Sequence, residues 1–152
     1  MEELYKDILL DHYRNPRHRG ALAAPTCAAD GANPLCGDQI HLDVDVEDGR
    51  IAGISFSGTG CSISQASASM MTEYVAGKSV ADAERAIDDF QQMMLRGETP
   101  VADFGDIEAL IGVAKFPARV KCASLAWKTL HQALAGSGAA TPITTDERTA
   151  TP

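Results

Sequence analysis

The stretch Asp38-Gln39-Ile40-His41-Leu42-Asp43-Val44-Asp45-Val46-Glu47-Asp48-Gly49-Arg50-Ile51-Ala52-Gly53-Ile54-Ser55-Phe56-Ser57 decides the fold. From Ile40 to Val46 apolar and polar residues alternate strictly. Ile40, Leu42, Val44 and Val46 face one way, while His41, Asp43, Asp45 and Glu47 face the other. This period of two marks a half-buried strand. Asp48-Gly49 is a hairpin turn, because both residue types tolerate positive φ. A return strand over Arg50–Ser57 puts Ala52, Ile54 and Phe56 in phase. Ile51 is out of phase, which predicts a bulge near Gly53 or a covered second face.

Downstream of this hairpin the period changes to that of helices. Gly58-Thr59-Gly60-Cys61 breaks the strand, and Ser62 with Gln65 reads as a capping box. Ile63, Ala66, Met70 and Tyr74 follow at helical spacing until Gly77. Ser79 and Asp82 mark a second helix start. Val80, Ala83, Ile87, Phe90 and Met94 form its stripe, and Gly97 closes it. Asp103–Gly112 reads as a short helix. Pro117 suits the first position of a last helix, with the stripe Val120, Ala123, Trp127, Leu130 and Leu134. Upstream, residues 2–14 read as a helix with Leu4, Ile8 and Leu9 on one side, stopped by Asn15-Pro16. A short strand is expected around Thr26–Asp30. Helix, strands, then helices imply an α+β domain, a small three-stranded antiparallel sheet packed against several helices. The domain covers residues 1–135. Residues 136–152 carry no aromatic and only Ile143 as a large apolar side chain, and read as a disordered tail.

Composition narrows the class. The chain has 152 residues and a net charge of -8. That length forms one domain with a real core. Of the apolar residues 24 are Ala, and Leu, Ile, Val and Phe number 31, so the core must be built from closely packed small side chains. An acidic chain with one Trp is poorly suited to neutralising phosphates, which argues against nucleic acid as a partner. The uncharged stretch Ile51–Thr72 is rich in Ser, Gly and Thr and is no membrane span. The start, Met1-Glu2-Glu3-Leu4-Tyr5-Lys6-Asp7, lacks the basic and apolar regions of a secretory signal. A cytoplasmic location is expected, where Cys27, Cys36, Cys61 and Cys122 would be free thiols or metal ligands.

Three of these cysteines sit where a thiolate is favoured or mobile. Cys36 lies in the turn Asn33-Pro34-Leu35-Cys36-Gly37-Asp38. Cys61 stands where a strand hands over to a helix, facing the positive end of the helix dipole. Cys122 lies in a region whose only charges between Ala109 and Thr145 are Lys115, Arg119, Lys121 and Lys128, a basic surround that favours the anion. Three thiolates with the carboxylate of Asp38 would complete a tetrahedral zinc site that can exchange a ligand. The spacing, however, contains no C-x-x-C pair and matches no local zinc-finger pattern. A shared site and three separate thiols both remain open on the residues alone. Cys27, in an Ala-rich strand without a nearby turn or charge, reads as an inert core thiol. His41 reads as solvated on its strand's polar face, and His12, His18 and His131 as unconnected with the cysteines.

Four motifs carry a resemblance. Asp11-His12-Tyr13-Arg14-Asn15-Pro16-Arg17, Cys36-Gly37-Asp38, Gly60-Cys61-Ser62-Ile63-Ser64 with Ala66-Ser67-Ala68-Ser69, and Arg119-Val120-Lys121-Cys122-Ala123 occur in order across residues 1–135. Together they resemble the iron–sulfur cluster assembly family of the NifU N-terminal-like, or IscU-like, type. Within it the chain resembles the SufU branch. Lys121 stands where scaffold members carry His before the last cysteine, and Val80–Arg96 with Glu98–Ala114 fills the extra segment of that branch. The resemblance implies Zn²⁺ held by Cys36, Asp38, Cys61 and Cys122, with Cys36 as the sulfur acceptor. It implies an accessory sulfurtransferase that activates a SufS-type cysteine desulfurase, rather than a stand-alone enzyme, and passes sulfur to downstream Fe–S assembly proteins. Arg119 is the expected partner-docking residue. The alternative is a scaffold on which a transient Fe–S cluster is assembled and transferred. A zinc hydrolase would need an open coordination position and a general base, and the sequence offers neither plainly.

Overall fold

A computed structural model describes residues 3–98, 104–135 and 143–144. Three antiparallel strands form the sheet: β1 (Cys27–Asn33), β2 (Asp38–Glu47) and β3 (Arg50–Thr59). A two-residue strand, β4 (Ile143–Thr144), adds parallel to β1, so the order is β3-β2-β1-β4. β4 lies within the stretch read as a disordered tail, and the rest of 136–152 falls outside the described residues. Around the sheet stand α1 (Glu3–Arg14), α2 (Ser62–Val75), α3 (Val80–Arg96), a 3₁₀ helix (Gly105–Lys115) and α4 (Pro117–Leu134). The architecture is the expected α+β arrangement. No helix among the described residues is long and apolar enough to cross a membrane.

The hairpin forms as its alternation requires, and the bulge expected near Gly53 is present. Asp45 pairs with Gly53 but Val46 pairs with Ile51, leaving Ala52 as the extra residue of a bulge. The bulge turns Ile51 into the core at 0% exposure and puts Ala52 outside. Ile54 and Phe56 stay inward as expected. β1 runs three residues beyond its expected end, because β2 supplies partners as far as Asn33↔Asp38.

α4 lies across β1 and β2 and packs against α2, with α1 outside α2 and α3 outside α4. The approach of α4 to β1 is close: a Cβ at Gly31 would overlap Thr129 Oγ1. Trp127 stacks on Phe90 with ring centroids 4.5 Å apart. Its Nε1 donates to Ser67 Oγ on α2, and Ser67 Oγ donates to the Ala123 carbonyl on α4. The two helices that bring Cys61 and Cys122 to the site are thereby locked together.

Helix ends follow the sequence at α3, where Ser79 Oγ accepts from Asp82 N–H and Gly97 adopts the left-handed cap. Pro117 begins α4 as expected. Two local readings are corrected. In α1, Leu4 is 65% exposed, and the inward stripe is Tyr5, Ile8, Leu9 and His12. In α2 the N-cap is Cys61 rather than Ser62: Ser64 N–H donates to Cys61 Sγ at 3.4 Å.

Two histidines also differ from expectation. His12 is fully buried and bonded to Ser69 and Asp106. His41 is held between Asp30 and Asp43, at 2.8 Å from each. Asp43 shares the face that the alternation gives to His41, whereas Asp30 and Asp106 lie 11 and 94 residues from their histidines, and the pattern gave no sign of those two.

Candidate metal centre

Four elements meet at the cysteines. The turn between β1 and β2 carries Cys36, with Gly37 at φ 69, a conformation that favours glycine. The first residue of β2 is Asp38. Cys61 caps α2, and Cys122 lies in the second turn of α4. Cys36 Sγ is 3.2 Å from Cys122 Sγ. Ligand atoms of Cys36, Asp38 and Cys122 all lie within 4.8 Å of one another. Cys61 borders this trio: its backbone N–H donates to Asp38 Oδ1 at 2.9 Å. Its sulfur is also near enough to Cys122 to oppose that thiol's ionisation.

Burial across the trio and Cys61 is uneven. Asp38 and Cys122 are buried, Cys61 is half-buried and Cys36 is exposed. Burial pushes the Cys122 thiol far above its ordinary value, and neighbouring Cys36, Asp38 and Cys61 push the same way. This corrects the expectation that the basic surround makes Cys122 anionic. Lys115, Arg119 and Lys128 are exposed, and desolvation at Cys122 outweighs them.

Asn33 is a site residue that sequence reasoning missed. It is fully buried, and its Nδ2 donates to Asp38 Oδ2 at 3.1 Å and to Cys122 Sγ at 3.5 Å. Its Oδ1 has no hydrogen-bond partner among the described residues. The only sequence signal was its place before Pro34 in the turn. Gly60 provides the remaining space: a Cβ there would stand 2.6 Å from Asp38 Oδ1. Arg119, one turn before Cys122, is exposed. Leu35 and Phe116 are exposed apolar residues next to Cys36 and at the start of α4, 62% and 60% accessible. Cys27 stays apart from the site, packed against the core, and burial raises its thiol.

The donor set fits a tetrahedral thiolate-preferring ion. Two sulfurs and one carboxylate lie together with the Cys61 thiol at their border, a set that suits Zn²⁺ or an iron–sulfur centre, and the Asn33 amide already orients Asp38. Close packing of several unprotonated donors is unfavourable without a cation, as the raised Cys122 thiol indicates.

Comparison with known proteins agrees with this chemistry. The NifU-like N terminal domain family matches residues 4–136. The chain is 45% identical over 136 residues to the zinc-dependent sulfurtransferase SufU of Bacillus subtilis (strain 168), covering 89% of this chain and 92% of that one. It is 42% identical over 145 residues to the iron-sulfur cluster assembly scaffold protein IscU of Streptococcus pyogenes serotype M1, covering 95% and 91%. The crystal structure of FiSufU from Fervidobacterium islandicum AW-1, an iron–sulfur cluster assembly scaffold protein for the SUF system, superposes with a TM-score of 0.79. The identity is 32%, over 84% of this chain and 94% of that one. With the family model matched over residues 4–136, nearly all of the described residues, the chain belongs to the NifU-like N terminal domain family.

Proposed function

We propose that the protein works in iron–sulfur cluster assembly as a zinc-dependent sulfur acceptor for a SufS-type cysteine desulfurase. The observation that carries this reading is the asymmetry of exposure: Cys36 is exposed while its neighbours Asp38 and Cys122 are buried. Cys36 rides on an exposed turn beside Gly37, so it is the sulfur that can leave the cluster of donors and reach another protein. Cys36, Asp38, Cys61 and Cys122 are the residues that would hold Zn²⁺, which when bound keeps thiols deprotonated at neutral pH.

Transfer is a thiol–persulfide exchange. The Cys36 thiolate attacks the outer sulfur of the desulfurase persulfide. A new S–S bond forms on Cys36, the partner's S–S bond breaks, and the partner's cysteine departs as a thiolate with the electron pair. Oxidation level is conserved, since the sulfane sulfur only changes carrier. Buried Asp38 and Cys122 stay in place, fixed by Asn33, so the site keeps its shape while Cys36 moves. Exposed Arg119, with Leu35 and Phe116 nearby in sequence to the site residues, supplies the surface on which the partner docks.

The test is desulfurase turnover with L-cysteine, measured with and without the untagged protein, alongside elemental analysis. One zinc per chain and stimulation that Cys36→Ala abolishes are expected. Full stimulation by Cys36→Ala would remove Cys36 from the mechanism. The relatives that bear the name scaffold favour a second reading, assembly of a cluster on the same four residues. Anaerobic reconstitution separates them: a stable cluster, handed to an apo-ferredoxin faster than free iron and sulfide manage, would favour the scaffold.

A further inference from the structure

α2 has Cys61 at its start and a different set of donors near its end. His12 on α1 is fully buried, and its Nε2 lies 2.8 Å from Asp106 Oδ2 and 3.8 Å from Glu73 Oε1. Glu73 belongs to the last turn of α2 and Asp106 to the 3₁₀ helix. The three donor atoms lie within 4.8 Å of one another. First-row divalent ions bond nitrogen and oxygen at about 2.0–2.2 Å, which places adjacent donors about 3 Å apart. The two distances from Nε2 bracket that separation.

The surroundings are those of a metal-binding imidazole. His12 Nδ1 lies 2.7 Å from Ser69 Oγ, a fully buried hydroxyl that also accepts from Arg17 N–H at 2.8 Å. A ligating histidine uses its second nitrogen in this way, which fixes the ring. The far oxygen of Glu73, Oε2, faces Arg17 Nε at 3.6 Å, leaving Oε1 turned to His12. Arg17 is itself paired with Asp11 at 2.7 Å, so its charge is already matched. Two carboxylate charges therefore converge on one buried ring. Glu73 and Asp106 also line a cavity of about 350 Å³, with Met70, Lys78 and Phe104. It opens the two carboxylates to solvent and leaves room for water ligands, while His12 closes the site from the buried side and does not line the cavity.

We propose that His12, Glu73 and Asp106 form a second metal site, which takes a divalent first-row cation that prefers nitrogen and oxygen donors, such as Mn²⁺ or Fe²⁺. One imidazole and two carboxylates suit those ions, while the sulfur site suits Zn²⁺. The ion takes Nε2 in its unprotonated form, with Nδ1 left to hydrogen-bond Ser69. Twelve residues of helix separate Cys61 from Glu73, about 18 Å along the axis, so the two sites load independently. The proposal stands apart from the sulfur-transfer reading.

Mn²⁺ is the probe, because it binds thiolates poorly and its free aquo form gives an electron paramagnetic resonance signal. Titration into the purified protein should remove the signal of one Mn²⁺ per chain. Glu73→Gln and Asp106→Asn, both at partly exposed side chains, should each weaken binding about tenfold or more. Ser69→Ala should weaken it by about tenfold through the lost outer-shell bond. Cys36→Ser should leave it unchanged. No Mn²⁺ uptake, uptake untouched by both carboxylate variants, or uptake lost in Cys36→Ser would each overturn the site.

Discussion

Asp38 shows what a single residue must do at the sulfur site. One oxygen accepts from Cys61 N–H and the other from Asn33 Nδ2, so the carboxylate is held from two sides before any ion arrives. A Cβ at Gly60 would press on Asp38 Oδ1 and on Ser64 Oγ, at 2.6 and 2.9 Å. Neither Asp38 nor the α2 start can yield without breaking those bonds. Gly60→Ala is therefore expected to cost about 1–3 kcal/mol of stability, as overpacking does, and to weaken zinc binding. Thermal melts and competition with a zinc chelator check both effects. An unchanged melt with unchanged zinc affinity would mean that Asp38 is freer than its hydrogen bonds imply.

At the scale of elements, side-chain pairs across strands do work that periodicity does not reveal. His41 on β2 bridges Asp30 on β1 and Asp43 on its own strand, and Asp43 also accepts from Leu22 N–H. The Asp30 hydrogen bond, then Asp43, raise the His41 pKa against a partly opposing desolvation. A histidine raised on folding stabilises fully below its unfolded value, about 6.5, and that contribution fades as pH climbs through the higher folded value. Wild-type protein should thus exceed His41→Asn in melting temperature by more at mildly acidic than at alkaline pH. A gap that is constant or widens with pH would contradict this. The hairpin, the Ser79 cap and the Pro117 start were legible because each is a local pattern with its own chemistry. The bulge was legible too, because Ile51 falls out of phase, but the outward turn of Ala52 was not, since the extra residue sits one position before Gly53. The Cys61 cap was hidden behind Ser62, a commoner capping residue. The burial of His12 was invisible because its partners, Ser69 and Asp106, lie 57 and 94 residues away. The donors that lie together, Cys36, Asp38 and Cys122, were singled out mainly through the four ordered motifs. Asn33 had no motif of its own, because its role comes from reaching Asp38 and Cys122 at once.

On the scale of the whole molecule, the site depends on three layers fitting together. β1 and β2 present Asn33, the Cys36 turn and Asp38 at one end of the sheet. α2 presents Cys61, and α4 delivers Cys122 from above. The Ser67–Ala123 and Trp127–Ser67 bonds and the Phe90–Trp127 stack hold α2, α3 and α4 in that relation. Small residues at the helix contacts suit this, because Ala66, Ala68, Ala123 and Ala126 let the helices approach closely. The result is a rigid floor of buried donors under one exposed thiol. Incubating the protein with a SufS-type desulfurase and L-cysteine, then locating added sulfur by mass spectrometry of peptides, tests that arrangement most directly. An extra sulfur atom on Cys36, absent from Cys27, Cys61 and Cys122, is the expected result. Sulfur found on a buried cysteine while Cys36 stays unmodified would contradict the account.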